Sequence, residues 1–287
     1  MKNIFTSVIV AIAFVFSATT QAQAQSPKLE NSLLWEVSGN GLSQPTYLYG
    51  TIHMICSGDY FLSEKTKKAL DQVNKLVLEI DLNDPKELTE MQQLAMGKEP
   101  LSKKLNAEQL SKLDVILRKS AGMTVQQVDA FSLVTVMSLI SMKTFGCNDL
   151  KFYEMEFIEK AKSRNIEIAG LETVKSQFKS LEDAYSDSEI IEMLEESDVE
   201  ETKQLVADYK LENLDTLYKN ITGENKMNAK AKKFMLDDRN LNWVKALPEM
   251  MKKESLFVAV GSAHLAGDSG IINLLRKAGY TVKPIMN

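Results

Sequence analysis

Residues 46–54 read TYLYGTIHM and residues 255–265 read SLFVAVGSAHL. Each is a run of apolar, β-branched and aromatic residues that closes in Gly-x-x-His: Gly50-Thr51-Ile52-His53 in the first, Gly261-Ser262-Ala263-His264 in the second. Such runs predict strands. A helical pattern and another short strand follow each one. After His53 come residues 64–74 and then Leu76-Val77-Leu78-Glu79-Ile80; after His264 come residues 268–278, stopped by Gly279, and then 280–285. Nearly continuous apolar strands of this length suit a sheet buried on both faces. The pattern predicts an α/β fold whose central sheet is formed by a β–α–β unit used twice.

Working outward, residues 32–38 pair with 46–52 as a hairpin across Gly39, Asn40, Gly41 and Pro45. Asp84-Pro85 opens a helical region, with Asp84 as cap and Pro85 in the first turn. Helical spacing covers 84–95, 106–120, 124–144 and 150–163. The piece 130–144 is apolar on most faces and predicts a buried helix. A short strand is expected at 166–170. The acidic stretch 182–202 keeps Ile190, Ile191, Leu194 and Val199 at helical spacing, so it reads as a solvated helix rather than a tail. Helices continue to about 247. No Pro-, Ser- or Gly-rich linker interrupts the chain, so residues 25–287 read as a single domain with a large helical insertion between the two Gly-x-x-His halves.

Residues 1–24 read as a leader. Lys2 gives a positive start, Ile4 to Ala18 is an apolar core, and Ala22-Gln23-Ala24 fits a small-residue cleavage site. The apolar run is short for a membrane span of about 20 residues, although an uncleaved anchor is the competing reading. A secretory leader places the mature protein in the periplasm or outside the cell, with no stable membrane insertion once it is removed. Removal takes one lysine and no acid from a formal charge of −5, leaving −6. That balance argues against nucleic acid and anionic membrane surfaces as partners. Two cysteines, Cys56 and Cys147, read as one disulfide in an oxidising compartment. The competing reading is two free thiols, or Cys56 as a metal ligand.

The chemistry centres on the repeated motif. A glycine at the strand end permits a sharp turn or a close approach. Three residues on, an imidazole can point into the crevice beyond the strand ends, where ligands gather in open α/β sheets. Imidazole is both the commonest nitrogen ligand for metals and an acid–base group near neutrality. A lone strand-end histidine is usually just a satisfied polar residue; two copies that use both histidines of the chain point to a site. Glu79 interrupts an apolar strand, where a carboxylate is costly unless paired, protonated or on a metal; otherwise it faces water from an edge strand. Arg239, in Asp237-Asp238-Arg239-Asn240, either clamps a substrate carboxylate or oxyanion, or makes a surface salt bridge. Glu172 either caps a helix or enters the site. No phosphate loop, Gly-x-Ser-x-Gly elbow or His-Glu-x-x-His helix is present.

Taken in order, LLWEVSGNGLSQPTYLYGTIHM, LVLEID, GLETVKSQF, DDRN and VAVGSAHLAGDSGIINLLRKAGYTV resemble the TraB/GumN family across essentially the whole mature chain. That family includes the Tiki proteins and is similar to the erythromycin esterase and ChaN-like groups. The resemblance implies a duplicated α/β fold and a metal-dependent, peptidase-like hydrolase acting on a peptide or ester. It implies a divalent ion, manganese or cobalt before zinc. His53, His264 and Glu79 would be the metal ligands, with Arg239 and Glu172 completing the catalytic set. Two other readings stay open: a metal-independent esterase-like hydrolase with His53 as general base, and an exported haem- or peptide-binding protein.

Overall fold

The computed structural model describes residues 28–223 and 226–286, so the predicted leader lies outside the described residues. The hairpin forms where Gly39, Asn40 and Gly41, all at positive φ, reverse the chain between β1 (Leu34–Ser38) and β2 (Thr46–Thr51). β3 (Met54–Cys56) leaves the sheet just past His53. β4 (Lys75–Leu78), β5 (Leu150–Phe152), β6 (Glu167–Gly170), β7 (Leu256–Gly261) and β8 (Thr281–Pro284) follow in the chain. The central sheet has the order β6-β4-β7-β2-β1-β8. Its strands β6, β4, β7 and β2 are parallel, and β1 runs antiparallel to both β2 and β8. The fold is mixed α/β, as the sequence predicts.

The two Gly-x-x-His strands lie side by side: β2 pairs with β7, with Gly50 opposite Val260 and Thr51 opposite Gly261. β4 flanks β7 on its other side, and β6 flanks β4. Four strands therefore end on one edge of the sheet. The second unit is not a copy of the first in position. β4 lies beside the paired motif strands, whereas β8 sits at the far edge beyond β1. Glu79 falls one residue past the end of β4 rather than inside it, which frees its side chain to turn toward the strand ends.

Both faces of the sheet are covered by one apolar core. Tyr49, Tyr153, Phe157, Phe257 and Tyr209 pack ring on ring beneath the motif strands, at centroid separations of 5.3–6.4 Å. Tyr209 also donates to the Gly50 carbonyl at 3.2 Å. The helical insertion carries a second, separate core of Leu101, Leu113, Leu117, Val136, Ile140, Ile190, Ile191 and Leu194. The acidic stretch is not one helix but is divided between Asp187–Glu196 and Val199–Lys210; its apolar side packs inward at Ile190, Ile191 and Leu194, while Val199 is exposed.

The segment 130–144 departs from expectation. Only Leu133, Val136 and Ile140 of its helix, Leu133–Thr144, are buried. Val134 and Met137 line a half-open cavity, Met137 while also packing against the insertion core. The helix is apolar on most faces because it serves two apolar surfaces. Cys56 and Cys147 are bonded, tying β3 to the loop before β5, and the two strands pair antiparallel. The chain-entropy model gives such a bond, closing 91 residues, about 4–5 kcal/mol of stabilisation. Among the described residues no helix is long and apolar enough to cross a membrane.

Candidate functional site

His53, Glu79, Glu172, Arg239 and His264 all come to the carboxyl edge of the four parallel strands. His53 sits two residues past β2, at φ +61°, a left-handed conformation uncommon for a residue with a side chain. It is held there from three directions. Its N–H donates to Thr51 Oγ1 at 3.3 Å, its carbonyl accepts from the Tyr153 N–H at 2.8 Å, and its Nδ1 lies 2.8 Å from Glu154 Oε1. A carboxylate only accepts, so Nδ1 carries the proton and Nε2 is turned toward the cavity. The Thr51 hydroxyl donates to the same Glu154 oxygen at 3.0 Å.

His264 follows β7 on the 3₁₀ turn Ser262–His264 and is buried. Asn240 Nδ2 donates to the carbonyls of His264 and Ser269, at 3.2 and 2.9 Å, which turns Asn240 Oδ1 toward the ring. His264 Nδ1 donates to that oxygen at 2.6 Å. Its Nε2 then accepts from Arg239 Nη1 at 3.1 Å, since a guanidinium only donates. The indole of Trp243 packs against the His264 ring at 4.5 Å between centroids.

Glu79 lies between the two rings, with Oε1 3.9 Å from each Nε2. The same oxygen accepts from the Gly261 N–H at 2.7 Å; Oε2 accepts from Arg239 Nη2 at 2.6 Å and Gln177 Nε2 at 2.9 Å. Arg239 is buried, so the surface salt bridge is ruled out. Its five N–H bonds reach Glu172 twice, Glu79, His264 and the Met235 carbonyl. The Met235 carbonyl belongs to the π-helical turn Lys233–Asp237 that precedes the helix Asp238–Met251. With every donor engaged, Arg239 organises the site in this state; it has no free N–H for a substrate carboxylate. Nor does Glu172 cap a helix. Thr173 caps Val174–Ala184, and Glu172 forms the outer arm of the buried Glu79–Arg239–Glu172 triad.

The electrostatics follow from this packing. Partial desolvation disfavours a charged His53 ring, whose side chain is still half-exposed, but the Glu154 carboxylate, reinforced by Glu79, outweighs it and pushes the pKa up to about 9. Burial drives His264 the other way, down to about 3, with Arg239 adding to the effect and Glu79 opposing it. Burial also works against an ionised Glu79, yet Arg239, His53 and the Gly261 N–H hold it well below the usual carboxylate range. Burial raises Glu172, against the pull of Arg239.

The two motif glycines serve each other's motif. A Cβ on Gly261 would stand 2.9 Å from His53 Nε2; one on Gly50 would meet Ser262 Cα and the Leu265 side chain at 3.0 Å. Neither glycine is at positive φ. Close approach, not a special turn, requires them.

A cavity of about 680 Å³ opens from these residues. Its floor is the strand edge: Thr51, His53, Glu79 and Gly261 to His264. Its walls are apolar side chains from the helical insertion, among them Met91, Val134, Met137, Phe178, Leu181 and Ile221.

A divalent ion finds an incomplete donor set here. His53 Nε2 and Glu79 Oε1 face each other with room for further bonding. The third expected ligand, His264 Nε2, is already the acceptor of an Arg239 N–H. Among the described residues no group of three or more histidine, cysteine or acidic side chains stands in an arrangement that could hold a metal ion. Cys56 is bonded to Cys147 and is no ligand.

Glu154, Asn240, Thr51 and Gln177 were not singled out from sequence. Asn240 stood beside Arg239 in the quoted DDRN. Glu154 carries no such signal: an acid in the first turn of a helix is ordinary, and only the pairing of β3 with β5 brings it to His53. The TraB/PrgY/gumN family model matches residues 33–284, nearly the whole chain, and the protein belongs to that family. No curated protein matches the chain.

Proposed function

We propose that this member of the TraB/PrgY/gumN family is an exported hydrolase that cleaves an ester or amide bond at the strand edge bearing His53. The observation that supports it is the pair of oriented imidazoles. Each Nδ1 is fixed by an oxygen acceptor, and each Nε2 lies 3.9 Å from one Glu79 oxygen at the floor of a substrate-sized cavity. Of the two, His53 does the proton work, because its Nε2 is open and Glu154 stabilises the charge the ring acquires. In its neutral form, Nε2 takes a proton from water as the water oxygen adds to the substrate carbonyl. The resulting imidazolium returns that proton to the leaving oxygen or nitrogen as its bond to carbon breaks. Water and substrate give an acid and an alcohol or amine, with His53 restored. His264 stays neutral, and Arg239 fixes Glu79. The disulfide supports an oxidising compartment, periplasmic or extracellular.

The test is a panel of activated esters and peptide amides with the purified mature chain. His53→Gln and Glu154→Gln should each lower kcat/KM by about 10²–10⁴-fold, the range of general acid–base catalysis. Wild-type rates in both variants would sink the proposal.

A metal-assisted form of the same reaction is the second reading, favoured by Glu79 Oε1 standing between two imidazole nitrogens. His53 and Glu79 would hold the ion, with His264 added only on release of Arg239; an ion there would acidify a bound water. Nitrogen and carboxylate donors suit manganese, cobalt or zinc. Metal analysis of the purified protein against the His53→Ala/His264→Ala double variant decides it. Equal metal content in the two, or full activity after exhaustive chelation, removes the metal.

A further inference from the structure

The cavity above His53 is far larger and more apolar than bond cleavage alone requires. Its walls come from five α-helices of the insertion, the loop at Met227 and the π-helical turn, and four methionines (Met91, Met137, Met227 and Met235) are among them. Methionine side chains adapt their shape to varied apolar partners. Among the described residues lining the cavity, only His53, Glu79, Arg239 and His264 can ionise. All four cluster at the strand edge. Arg239 has all five donors engaged, His264 is neutral, and His53 is paired with Glu154. The His53 charge is balanced by Glu154 and Glu79, so among the described lining residues no unbalanced cation is left to meet a phosphate or a second carboxylate, and no unpaired anion to meet an amine.

Resting on the hydrolase reading, we propose that the substrate is an uncharged molecule with a flexible hydrocarbon group, an acyl chain or its equivalent. The insertion encloses this group while the scissile bond lies at His53. Affinity then grows with apolar length, by about fourfold per buried methylene if burial is complete. A terminal charge placed among the methionines weakens binding instead, because burying an unpaired ion is costly. The helix Leu133–Thr144 gains a reason for its composition: one side holds the insertion core together, and the other meets the ligand.

The experiment uses the full mature chain and N-phenyl-1-naphthylamine, an uncharged fluorescent probe. Decanamide should displace the probe at least tenfold more effectively than hexanamide, and at least tenfold more effectively than decanoate. Decanoate equal to or better than decanamide overturns the proposal, as does the absence of saturable probe binding. Met137→Asp should weaken probe binding tenfold or more while Met137→Leu leaves it near wild type. Equal binding by a folded Met137→Asp chain also overturns the proposal. If that variant fails to fold, the three wild-type displacements still decide. A parallel arm follows p-nitrophenyl acetate, butyrate and octanoate, with kcat/KM expected to rise along the series. Binding as expected without turnover of any ester or amide sinks the hydrolase reading and leaves the ligand class standing. Turnover of the acetate with no gain in chain length and no probe binding does the reverse.

Discussion

At the scale of single residues, the site works by opposed treatment of two like side chains. His53 sits half-exposed beside Glu154 and is held protonated to about pH 9; His264 is enclosed beside Arg239 and stays neutral to about pH 3. With only two histidines in the chain, NMR can resolve both. In chelator-treated protein, one imidazole is expected to titrate near pH 9 and the other to remain neutral through the physiological range. Two rings titrating together near 6.5 would contradict the geometry. The two shifts act on stability in opposite senses. The raised pKa of His53 contributes stability present in full below about 6.5 and lost as pH climbs through 9. The lowered pKa of His264 costs stability as pH falls from 6.5 toward 3, where the unfolded ring binds a proton that the folded one refuses. Gly261→Ala is the sharpest probe of packing, since its methyl would press on His53 Nε2. Displacing the ring on the order of an ångström should lower kcat/KM about 10²-fold, with little change in the urea midpoint. The two histidines, Glu79 and Arg239 were legible in the sequence because each is out of place there: a repeated motif, an acid in an apolar run, a charge in a helical pattern. Glu154 was not, because nothing within its own helix marks it.

At the scale of elements, the helix Asp238–Met251 and the π-turn before it decide whether the carboxylates can coexist. Arg239 separates and neutralises Glu79 and Glu172, all three largely buried. Arg239→Ala leaves those acids without a partner and should cost about 3–5 kcal/mol in urea unfolding. Arg239→Lys should recover only part of that, since an ammonium cannot serve Glu172, Glu79, His264 and the Met235 carbonyl together. A loss under 1 kcal/mol in the alanine variant would show that the triad is not formed in solution. The elements themselves were mostly legible. Asp84 caps the helix that opens at Pro85, and Gly279 follows the helix that ends at Lys277, as the sequence predicts. The segment 124–144 read as one helix but is two, Val125–Val128 and Leu133–Thr144. Periodicity reports which faces are apolar and is blind to whether an apolar face meets core or cavity, so pattern alone makes 130–144 a buried helix.

At the scale of the whole molecule, chemistry and enclosure come from different parts of the chain. The sheet edge supplies the reactive groups, and the insertion, with its own core, supplies the walls. The Cys56–Cys147 bond fastens the middle of the insertion region, in the loop before β5, to the strand just past His53. The Cys56→Ser/Cys147→Ser double variant should lose about 2–5 kcal/mol, measured by chemical denaturation without reductant. An unchanged midpoint would mean the link is not formed in the protein as purified. The α/β class and the adjacency of the two motifs could be read from pattern; the order of the strands could not, because pairing partners separated by two hundred residues leave no local trace. That order has a temporal consequence. β7 is the wedge between β2 and β4, yet it emerges from the ribosome only after the whole insertion. Until it arrives, two hydrogen-bonding ridges lie bare and the reactive edge does not exist. A chain still in synthesis is thereby kept from maturing early, and a ribosome that stops short of residue 256 releases a product with nothing to join its halves.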